Sequence, residues 1–330
     1  MILVTGGTGF LGAYLLAELT AQDKPIRAMK RATSKTTYTE QIFAMKYGAD
    51  AKARFAKIQW VEGDIMDIFS IEEAMAGVDE VYHCATEVSL RDDRPDEIIY
   101  TAEKGSANMV NIALEKGVKK FCHVSSVAAL GEDNQGKEIT EESFDEFNYG
   151  GNSPYAIGKH LAEAEVWRAN AEGLNVVVVN PTIIMGPWAG KSGSMSFHHF
   201  LKKSHMFYTS GSVGFVDVHD VVNVMMRLMN ENKMGQRYLV NAENIAFKNL
   251  FADITTSMGL KPPGMAISKR GLKFFRVINN LAGGSKITTT MVDHSSGNFN
   301  YINRKVVKEL GYTFRPIKES ISEMSAFLKN

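Results

Sequence analysis

Short apolar runs rich in β-branched residues alternate, through the first half of the chain, with longer segments whose apolar positions recur at helical spacing. This alternation is typical of β-α-β units, in which helices connect the parallel strands of one sheet. Six strands follow from the pattern, which is enough for a doubly wound parallel sheet. We predict these strands at Ile2–Thr5, Ile26–Met29, Ile58–Val61, Glu80–Cys84, Lys120–Val124 and Asn175–Val179.

The alternation of short apolar runs with helical segments ends after Asn180. Glycine, proline and aromatic residues become dense from 181 to 215, and later helices mix with isolated strands such as Arg237–Asn241. We therefore predict an α/β protein with a larger domain over residues 1–180 and a smaller mixed lobe over residues 181–330. The lobe is expected to be discontinuous and able to return strands or helices to the first domain. One helix start is marked by Ser70 and Glu73, which fit a capping box.

Composition and charge argue against a nucleic-acid-binding or membrane-spanning protein and do not change the predicted architecture. The chain has 37 Lys and Arg against 37 Asp and Glu, so a nucleic-acid partner is not expected. Charges interrupt its apolar stretches before the ~18 residues that a membrane helix needs, and no targeting segment is recognisable. Cys84 and Cys122 lie in apolar runs and are predicted to be buried free thiols. A cytoplasmic location is therefore expected.

The first chemical motif is the run from Thr5 to Gly12, in which Gly6, Gly9 and Gly12 recur every third residue. The run follows the first strand and opens a helix near Phe10, so helix amides would face a bound anion. Gly6 and Gly9 let the backbone turn tightly and approach a pyrophosphate, and Gly12 lets the helix pack close to the strand. This context predicts a Rossmann-type dinucleotide site in the first domain.

The end of the second strand distinguishes the two nicotinamide dinucleotides, because an acidic residue there would bind a ribose hydroxyl of NAD. Here the strand ends in Lys30 and Arg31, with Lys35 nearby, and no carboxylate is available. Such cations pair with a 2′-phosphate, so NADP(H) is predicted and NAD(H) is less favoured. A solvated cationic loop is the alternative. Asp64 is placed to accept from the adenine amino group, although a plain turn aspartate has the same signature.

A second motif is Tyr155 followed four residues later by Lys159, at the start of a long helical pattern. This spacing puts both on one helical face, where the ammonium would lower the pKa of the phenol from ~10 toward an acid–base range. Ser125 and Ser126 leave the fifth strand at the carboxyl edge, where doubly wound sheets bind their ligands. The features converge on one cleft, although a Tyr–Lys pair alone is common on helix surfaces.

Together these motifs resemble the extended short-chain dehydrogenase/reductase superfamily over nearly the whole chain. The glycine run matches the T-G-x-x-G-x-x-G turn of that superfamily, and Asp64 matches its adenine-contacting acid. The segment Asn180–Pro187 resembles the branch of dihydroflavonol 4-reductase, cinnamoyl-CoA reductase and bacterial aldehyde reductases. The cofactor-binding residues that the resemblance implies are Gly6, Thr8, Gly9, Phe10, Leu11, Gly12, Lys30, Arg31, Asp64, Ile65, Cys84, Ala85, Thr86, Tyr155, Lys159 and Pro181.

The resemblance also implies a catalytic group, Ser126, Tyr155 and Lys159. Ser126 is preferred because the serine of that superfamily usually stands five residues before a loop glycine, which here is Gly131, and Ser125 is the fallback. The implied reaction is reduction of an aldehyde or ketone by NADP(H), with Tyr155 donating the proton, Ser126 holding the carbonyl oxygen and Lys159 binding the nicotinamide ribose. The chain departs from the superfamily at one position, because its usual asparagine is replaced by Ala102.

Two other functions stay open. The first is an NDP-sugar epimerase or dehydratase that retains its cofactor, and the second is a non-catalytic NADP(H)-binding regulator. The segment after the nucleotide domain favours an apolar substrate, because it is rich in aromatic and methionine residues that suit a hydrophobic wall. The predicted wall consists of Trp188, Met195, Phe197, Phe200 and Phe207.

Further partners are a small-molecule carbonyl or alcohol substrate and, as the superfamily suggests, a second copy in a homodimer. No metal is expected, because the adjacent His198 and His199 cannot present two ligands from one helix face. The basic amphipathic stretch 269–278 raises the possibility of contact with a membrane surface. Its apolar stripe could equally pack on the second lobe.

Overall fold

A computed structural model of the protein describes residues 1–85, 94–131, 135–190, 194–203, 206–268, 270–272, 292 and 295–329. Thr86 and most of the stretch 269–278 lie outside this set. The helices are α1 (Phe10–Leu19), α2 (Thr37–Tyr47), α3 (Ala51–Phe55), α4 (Ile68–Met75), α5 (Pro95–Glu115), α6 (Pro154–Ala171), α7 (Met195–Lys203), α8 (Val218–Asn230), α9 (Phe247–Ser257), α10 (Arg304–Leu310) and α11 (Ile317–Phe327). No helix within the described residues is long and apolar enough to cross a membrane.

The strands form two main sheets and one small pair. They are β1 (Ile2–Thr5), β2 (Ile26–Lys30), β3 (Ile58–Glu62), β4 (Glu80–His83), β5 (Lys120–Val124), β6 (Gln135–Ile139), β7 (Val176–Pro181), β8 (Ile183–Met185), β9 (Phe207–Thr209), β10 (Ser212–Asp217), β11 (Gln236–Val240), β12 (Glu243–Ala246), β13 (Met265–Ile267) and β14 (Asn298–Tyr301).

The larger sheet has seven parallel strands in the order β11-β7-β5-β4-β1-β2-β3, which confirms the predicted doubly wound Rossmann architecture. Strand β7 is buried along its whole length, which explains its unbroken apolar run. Alternate residues face separate cores. Val4 belongs to the core that contains Leu15 of α1 and Val221 of α8, whereas Leu3 belongs to the core that contains Val110 of α5 and Val166 of α6.

The chain exchanges strands across the predicted boundary at residue 180. Strand β6 precedes that boundary but pairs with β14 in a second sheet, in which β10 also pairs with β8 and β12. Strand β11 follows the boundary but forms the edge of the large sheet beside β7. The prediction that Arg237–Asn241 is an isolated strand is therefore wrong, because strand pairing depends on neighbours far away in the sequence.

The predicted helix start at Ser70 is also wrong. Helix α4 begins at Ile68, and the Asp67 carboxylate caps it by accepting from the Phe69 amide at 3.2 Å. The Ser70 hydroxyl instead accepts from the Asp64 amide at 3.0 Å. Ser70 therefore fixes the turn after β3, and an aspartate three residues earlier takes the capping role.

Candidate functional site

The glycine turn lies at the carboxyl end of β1, pressed against the end of β4. Gly6 has φ +71°, and a Cβ atom on it would come within 2.7 Å of the Ala85 nitrogen. A Cβ atom on Gly12 would lie 2.2 Å from the Gly6 carbonyl oxygen. The Gly9 amide donates to that same oxygen at 2.9 Å. The backbone packing of the turn therefore requires glycine at the first and third positions.

Helix α1 begins directly after this turn. Its N-cap is Gly9, and no side chain caps the first amides. The amides at this end form the positive end of the helix dipole. Because the N-cap is a glycine without a side chain, an anionic group can approach these amides closely. The turn therefore fits the pyrophosphate of a dinucleotide, in a place where any side chain would obstruct it.

The ends of β1 and β4 are linked by Thr5. Its hydroxyl accepts from the Ala85 amide at 3.1 Å and lies 2.8 Å from Nδ1 of His83. The direction of the hydrogen bond between Thr5 and Nδ1 follows the tautomer of His83, because a hydroxyl can accept as well as donate. Burial lowers the pKa of His83 to about 3, so this ring stays neutral. The link fixes Cys84 and Ala85 beside the glycine turn.

A cleft of about 470 Å³ joins the glycine turn to the loop after β2, and Thr8, Ser34, Lys35, Thr37 and Tyr38 line it. None of these lining residues is acidic. Lys30 ends β2, and its carbonyl accepts from the Gly63 amide at 2.9 Å.

Arg31 and Asp64 complete the predicted adenosine end of the site. Arg31 is exposed, and it lies three residues before the first residue after β2 that lines the cleft. Asp64 accepts at Oδ1 from the Met66 amide at 3.0 Å. This is the turn arrangement that the sequence left open as an alternative to adenine contact. One carboxylate oxygen carries that bond, so the turn does not exclude the adenine contact.

Ser126 and Tyr155 meet at the carboxyl end of β5. Ser126 is close enough to Tyr155 to lower the pKa of its phenol, and the Ser126 hydroxyl accepts from the Ala128 amide at 3.2 Å. Ser153 caps α6 by accepting from the Ala156 amide, which places Tyr155 in the first turn of the helix. Ser125 is buried, and its hydroxyl has no partner among the described residues. Of the two serines, Ser126 is the one that acts on the pKa of Tyr155.

The pKa of Tyr155 differs from the sequence expectation. Burial raises it, and the Ser126 hydroxyl opposes this only in part. Lys159 was expected to lower it, but the Lys159 ammonium instead donates to the carbonyl oxygen of Val124 at 2.9 Å. Tyr155 is consequently a neutral phenol at neutral pH, the form that can donate a proton.

Lys159 is almost fully buried, with 3% of its surface exposed. Burial lowers its pKa to about 8, while the Glu163 carboxylate one turn later on α6 acts in the opposite direction. At neutral pH the side chain is therefore an ammonium in an apolar setting. It has two further N–H donors beside the one that Val124 accepts.

Comparison with known proteins identifies the family. A family model described as "NAD dependent epimerase/dehydratase family" matches residues 2–241. The chain belongs to this family. Cinnamoyl-CoA reductase 1 of Petunia hybrida is 26% identical over 334 residues, covering 98% of this chain and 90% of that protein. Sterol demethylase protein B of Methylococcus capsulatus is 29% identical over 273 residues, covering 81% of this chain and 77% of that protein.

Among solved structures, that of gox2253 matches with a TM-score of 0.80 and 25% identity, covering 100% of this chain and 98% of the other. The resemblance to the extended short-chain dehydrogenase/reductase superfamily is thus confirmed, and the protein is an oxidoreductase of that type. The family description also supports a nicotinamide dinucleotide as cofactor.

A buried polar network, which the sequence analysis missed, joins the two segments that carry Ser126 and Lys159. The Asn180 amide nitrogen donates to the Ser126 carbonyl at 3.0 Å and to the Glu163 carboxylate at 2.8 Å. Glu163 is fully buried and pairs with Arg237 of β11, while its Oε1 also accepts from Trp167 at 3.1 Å. The position of Glu163 four residues after Lys159, on the same helical face, was the available signal.

Ala102, the departure from the superfamily pattern, lies where α5 approaches α6. A Cβ atom on Gly158 would come within 3.1 Å of the Ala102 Cβ atom and 3.4 Å of the Ile98 carbonyl oxygen. The two helices are therefore in close backbone contact beside the Tyr155–Lys159 turn. A small residue at position 102 suits this packing.

The five aromatic and methionine residues predicted as one substrate wall do not form one. Trp188 packs between Phe10 and Tyr38 at 5.6 and 5.2 Å, next to the glycine turn. Phe197 packs into the core around Phe215, and Met195 is fully buried. Aromatic density along the chain could not separate core from cleft, because α7 has an apolar face that the core covers.

Phe200 and Phe207 differ from these three, since 54% and 38% of their surfaces are exposed. His198 is buried and lies 3.1 Å from the Ser325 hydroxyl, whereas His199 contacts the Met195 carbonyl. The two histidines thus point to different partners. Within the described parts of the chain, no group of three His, Cys, Asp or Glu side chains could hold a metal ion.

Proposed function

We propose that the protein is an NADP(H)-dependent reductase of an aldehyde or ketone, with Ser126, Tyr155 and Lys159 as its catalytic group. The observation that carries the proposal is the meeting of Ser126 and the neutral phenol of Tyr155 at the carboxyl end of β5, one helical turn from the buried ammonium of Lys159. All three lie at the carboxyl edge of the sheet that also presents the glycine turn. That edge is where doubly wound proteins bind cofactor and substrate.

The glycine turn and the amides of α1 would hold the pyrophosphate, and Lys159 would hold the nicotinamide ribose. Bound NADPH would supply the hydride. Tyr155 would donate its proton to the carbonyl oxygen, and the Ser126 hydroxyl would hydrogen-bond the same oxygen as negative charge develops on it. The low-polarity surroundings that keep Tyr155 neutral also strengthen both of these hydrogen bonds.

The preference for NADP(H) rests on the cations at the end of β2. Lys35 lines the cleft beside Thr8 of the glycine turn, together with the hydroxyl-bearing Ser34 and Thr37. A 2′-phosphate in this cleft would meet one ammonium and several hydroxyl donors, with Lys30 and Arg31 following directly from β2. An NAD-selective site would place a carboxylate here.

The substrate class is inferred from the relatives and from what the site lacks. One relative is named as a cinnamoyl-CoA reductase and another as a sterol demethylase protein, names that point to aromatic or polycyclic carbon skeletons. The side chains that would hold a sugar nucleotide are arginines and amides. The segment 181–216 has no arginine, which supports an apolar carbonyl compound instead.

Measuring NADPH consumption against a panel of apolar aldehydes and ketones tests this function. A reductase consumes NADPH in step with the alcohol formed. An NDP-sugar epimerase with retained cofactor converts its substrate without lasting change in nicotinamide absorbance. Turnover of a nucleotide sugar, with no activity on any simple carbonyl, would reject the reductase. Binding of NADPH with no turnover of either class would favour the regulator.

A further inference from the structure

Ser126 stands at the start of a short turn that determines where its hydroxyl points. The turn is a 3₁₀ helix over Val127–Leu130, and Ser126 is its N-cap. The Ser126 carbonyl accepts from the Ala129 amide at 3.0 Å, and the Ser126 hydroxyl accepts from the Ala128 amide. Because both oxygens of Ser126 bond within this turn, a shift of the turn would move the hydroxyl with it.

His160 of α6 holds the far end of this turn. Its Nδ1 atom lies 3.0 Å from the carbonyl oxygen of Ala129, and both residues are buried. Since a carbonyl oxygen can only accept, Nδ1 carries the proton and donates in this bond. His160 lies five residues after Tyr155 on the same helix. The bond therefore joins the helix that carries Tyr155 to the turn that carries Ser126.

The imidazole of His160 lies between two phenyl rings. The Phe144 ring is 4.2 Å from its centre at an interplanar angle of 24°, and the Phe147 ring is 4.1 Å away at 15°. Two rings this close and this nearly parallel cannot share one face, so they cover both faces of the imidazole. Tyr149 lies perpendicular to it at 5.4 Å. This packing leaves the imidazole little freedom to turn away from the Ala129 carbonyl.

The start of the same turn is linked to α6 by another route. The Asn180 amide nitrogen donates both to the Ser126 carbonyl and to the Glu163 carboxylate of α6. The turn is thus linked to α6 at its start through Asn180 and at its end through His160. Because Glu163 also acts on the pKa of Lys159, the link through His160 is the one that can be tested alone.

We propose that His160 is a positioning residue that fixes the Ser126 hydroxyl relative to the Tyr155 phenol. The inference rests on the proposed reductase function, in which both groups act on one carbonyl oxygen. A donor stabilises the charge that develops on that oxygen only at close range, so a displacement of about 1 Å can cost about 10²-fold in rate. His160 would hold Ser126 in place from the helix that carries its catalytic partner.

Replacing His160 separates its N–H group from its ring. His160→Phe removes the donor and keeps an aromatic ring between the two phenyl rings. We expect kcat and kcat/KM to fall together by about ten- to a hundredfold, with NADPH affinity unchanged, because the lost constraint matters only in the transition state. His160→Asn, whose amide nitrogen can take the place of Nδ1, should keep kcat within about threefold of wild type. His160→Leu also lacks the donor and serves if the larger ring does not fit.

Combination with Ser126→Ala distinguishes positioning from a general structural effect. If His160 acts through Ser126, His160→Phe should lower kcat little further once the hydroxyl is absent. A purely structural role would lower kcat by the same factor in both backgrounds. His198→Phe is the matched control, because His198 is also buried and its ring contacts the Ser325 hydroxyl of α11. This control should lower stability to denaturant and leave kcat unchanged.

Wild-type kcat in His160→Phe and His160→Leu would overturn the inference, as would the same fractional loss with and without the Ser126 hydroxyl. An equal loss in His160→Asn, or in the His198→Phe control, would overturn it too. Full turnover in Tyr155→Phe or Ser126→Ala would instead reject the proposed catalytic group, so the two failures are distinct. Circular dichroism of each variant checks that the fold is intact.

Discussion

At the scale of single residues, the proposed chemistry depends most directly on the phenol oxygen of Tyr155. Tyr155→Phe removes that oxygen and keeps the ring that packs at the start of α6. We expect turnover to fall by about 10²- to 10⁴-fold, the usual contribution of a general acid, with NADPH affinity nearly unchanged. Steady-state kinetics and fluorescence titration measure the two quantities. Wild-type turnover in this variant would exclude Tyr155 as the proton donor.

Lys159 should set the alkaline limit of activity. With its pKa at about 8, the ammonium is present below that pH and is lost as the pH rises through it. We therefore expect kcat/KM to fall above about pH 8. Besides Glu163, the titratable groups that interact with Lys159 are His83, whose pKa burial lowers to about 3, Cys84, whose pKa burial raises to about 12, and His123, whose lowered pKa keeps it neutral. None of them titrates near pH 8.

Glu163 should shift that alkaline limit without touching the reacting atoms. Its carboxylate raises the pKa of Lys159, so Glu163→Gln should move the fall in kcat/KM to lower pH. Glu165→Gln, in which the ion pair with Arg168 on the exposed side of α6 is lost, is the matched control and should leave the limit in place. A purely structural role for Glu163 would lower activity at every pH and leave the midpoint unchanged.

The cofactor preference is argued from Arg31 and Lys35. Charge-assisted hydrogen bonds to a phosphate contribute about 1.5–3 kcal/mol each, so two of them give at least about tenfold tighter binding of NADPH than of NADH after screening. Removing both cations by Arg31→Ala and Lys35→Ala should abolish most of this difference and leave NADH affinity nearly constant. Calorimetry with both cofactors measures it. A preference that survives the double substitution would assign it to other residues.

The residues of the candidate site were predictable only where their signal is local. The glycine spacing and the four-residue step from Tyr155 to Lys159 each lie within a few adjacent residues. The strand or helix around each motif then indicates its role. The Asn180–Glu163–Arg237 network is not local, because it joins a strand end, a helix and an edge strand through tertiary contacts. The lowered pKa expected for Tyr155 failed for a related reason, since burial outweighs a charge that donates elsewhere.

At the scale of elements, the packing of α1 on the glycine turn gives the next prediction. A Cβ atom on Gly12 would meet the Gly6 carbonyl oxygen at 2.2 Å, and the obstructing atom is backbone, which cannot rotate away. We expect Gly12→Ala to destabilise the protein by about 1–3 kcal/mol and to weaken NADPH binding. Gly264→Ala is the control, because nothing lies within 4 Å of its Cβ position. Chemical denaturation of both variants compares them, and equal stability would contradict the close contact.

The bounds of the strands were predicted better than the partners with which the strands pair. All six predicted strands exist within about two residues of the expected bounds, a normal error for strand ends. Strand β6 was not predictable, because its sequence QGKEI has no apolar run. The apolar end of β11 indicates burial but does not show which sheet the strand joins. The helix start at Ser70 failed because Asp67, one turn earlier, offered an equally good cap and tertiary contacts engaged the serine.

At the scale of the whole molecule, the exchange of β6 and β11 between the sheets predicts that the chain unfolds as one unit. A fragment of residues 1–180 would lack β11, so the edge of β7 would be exposed along its hydrogen-bonding groups. It would also lack Arg237, leaving the fully buried carboxylate of Glu163 without its ion-pair partner. An unpaired buried charge costs about 3–5 kcal/mol, a large part of the ~5–15 kcal/mol that stabilises a typical domain.

We therefore expect the fragment 1–180 to remain unfolded or aggregate, and the full chain to unfold in a single transition. The two probes are tryptophan fluorescence, which includes Trp60 and Trp167 of the large-sheet domain, and far-ultraviolet circular dichroism, which reports every helix. Their transitions should coincide along one denaturation curve. Cooperative folding of the fragment, or two separate transitions in the full chain, would contradict this prediction. In either case the strand exchange would not couple the lobes, and residue 180 would mark the end of an independent domain.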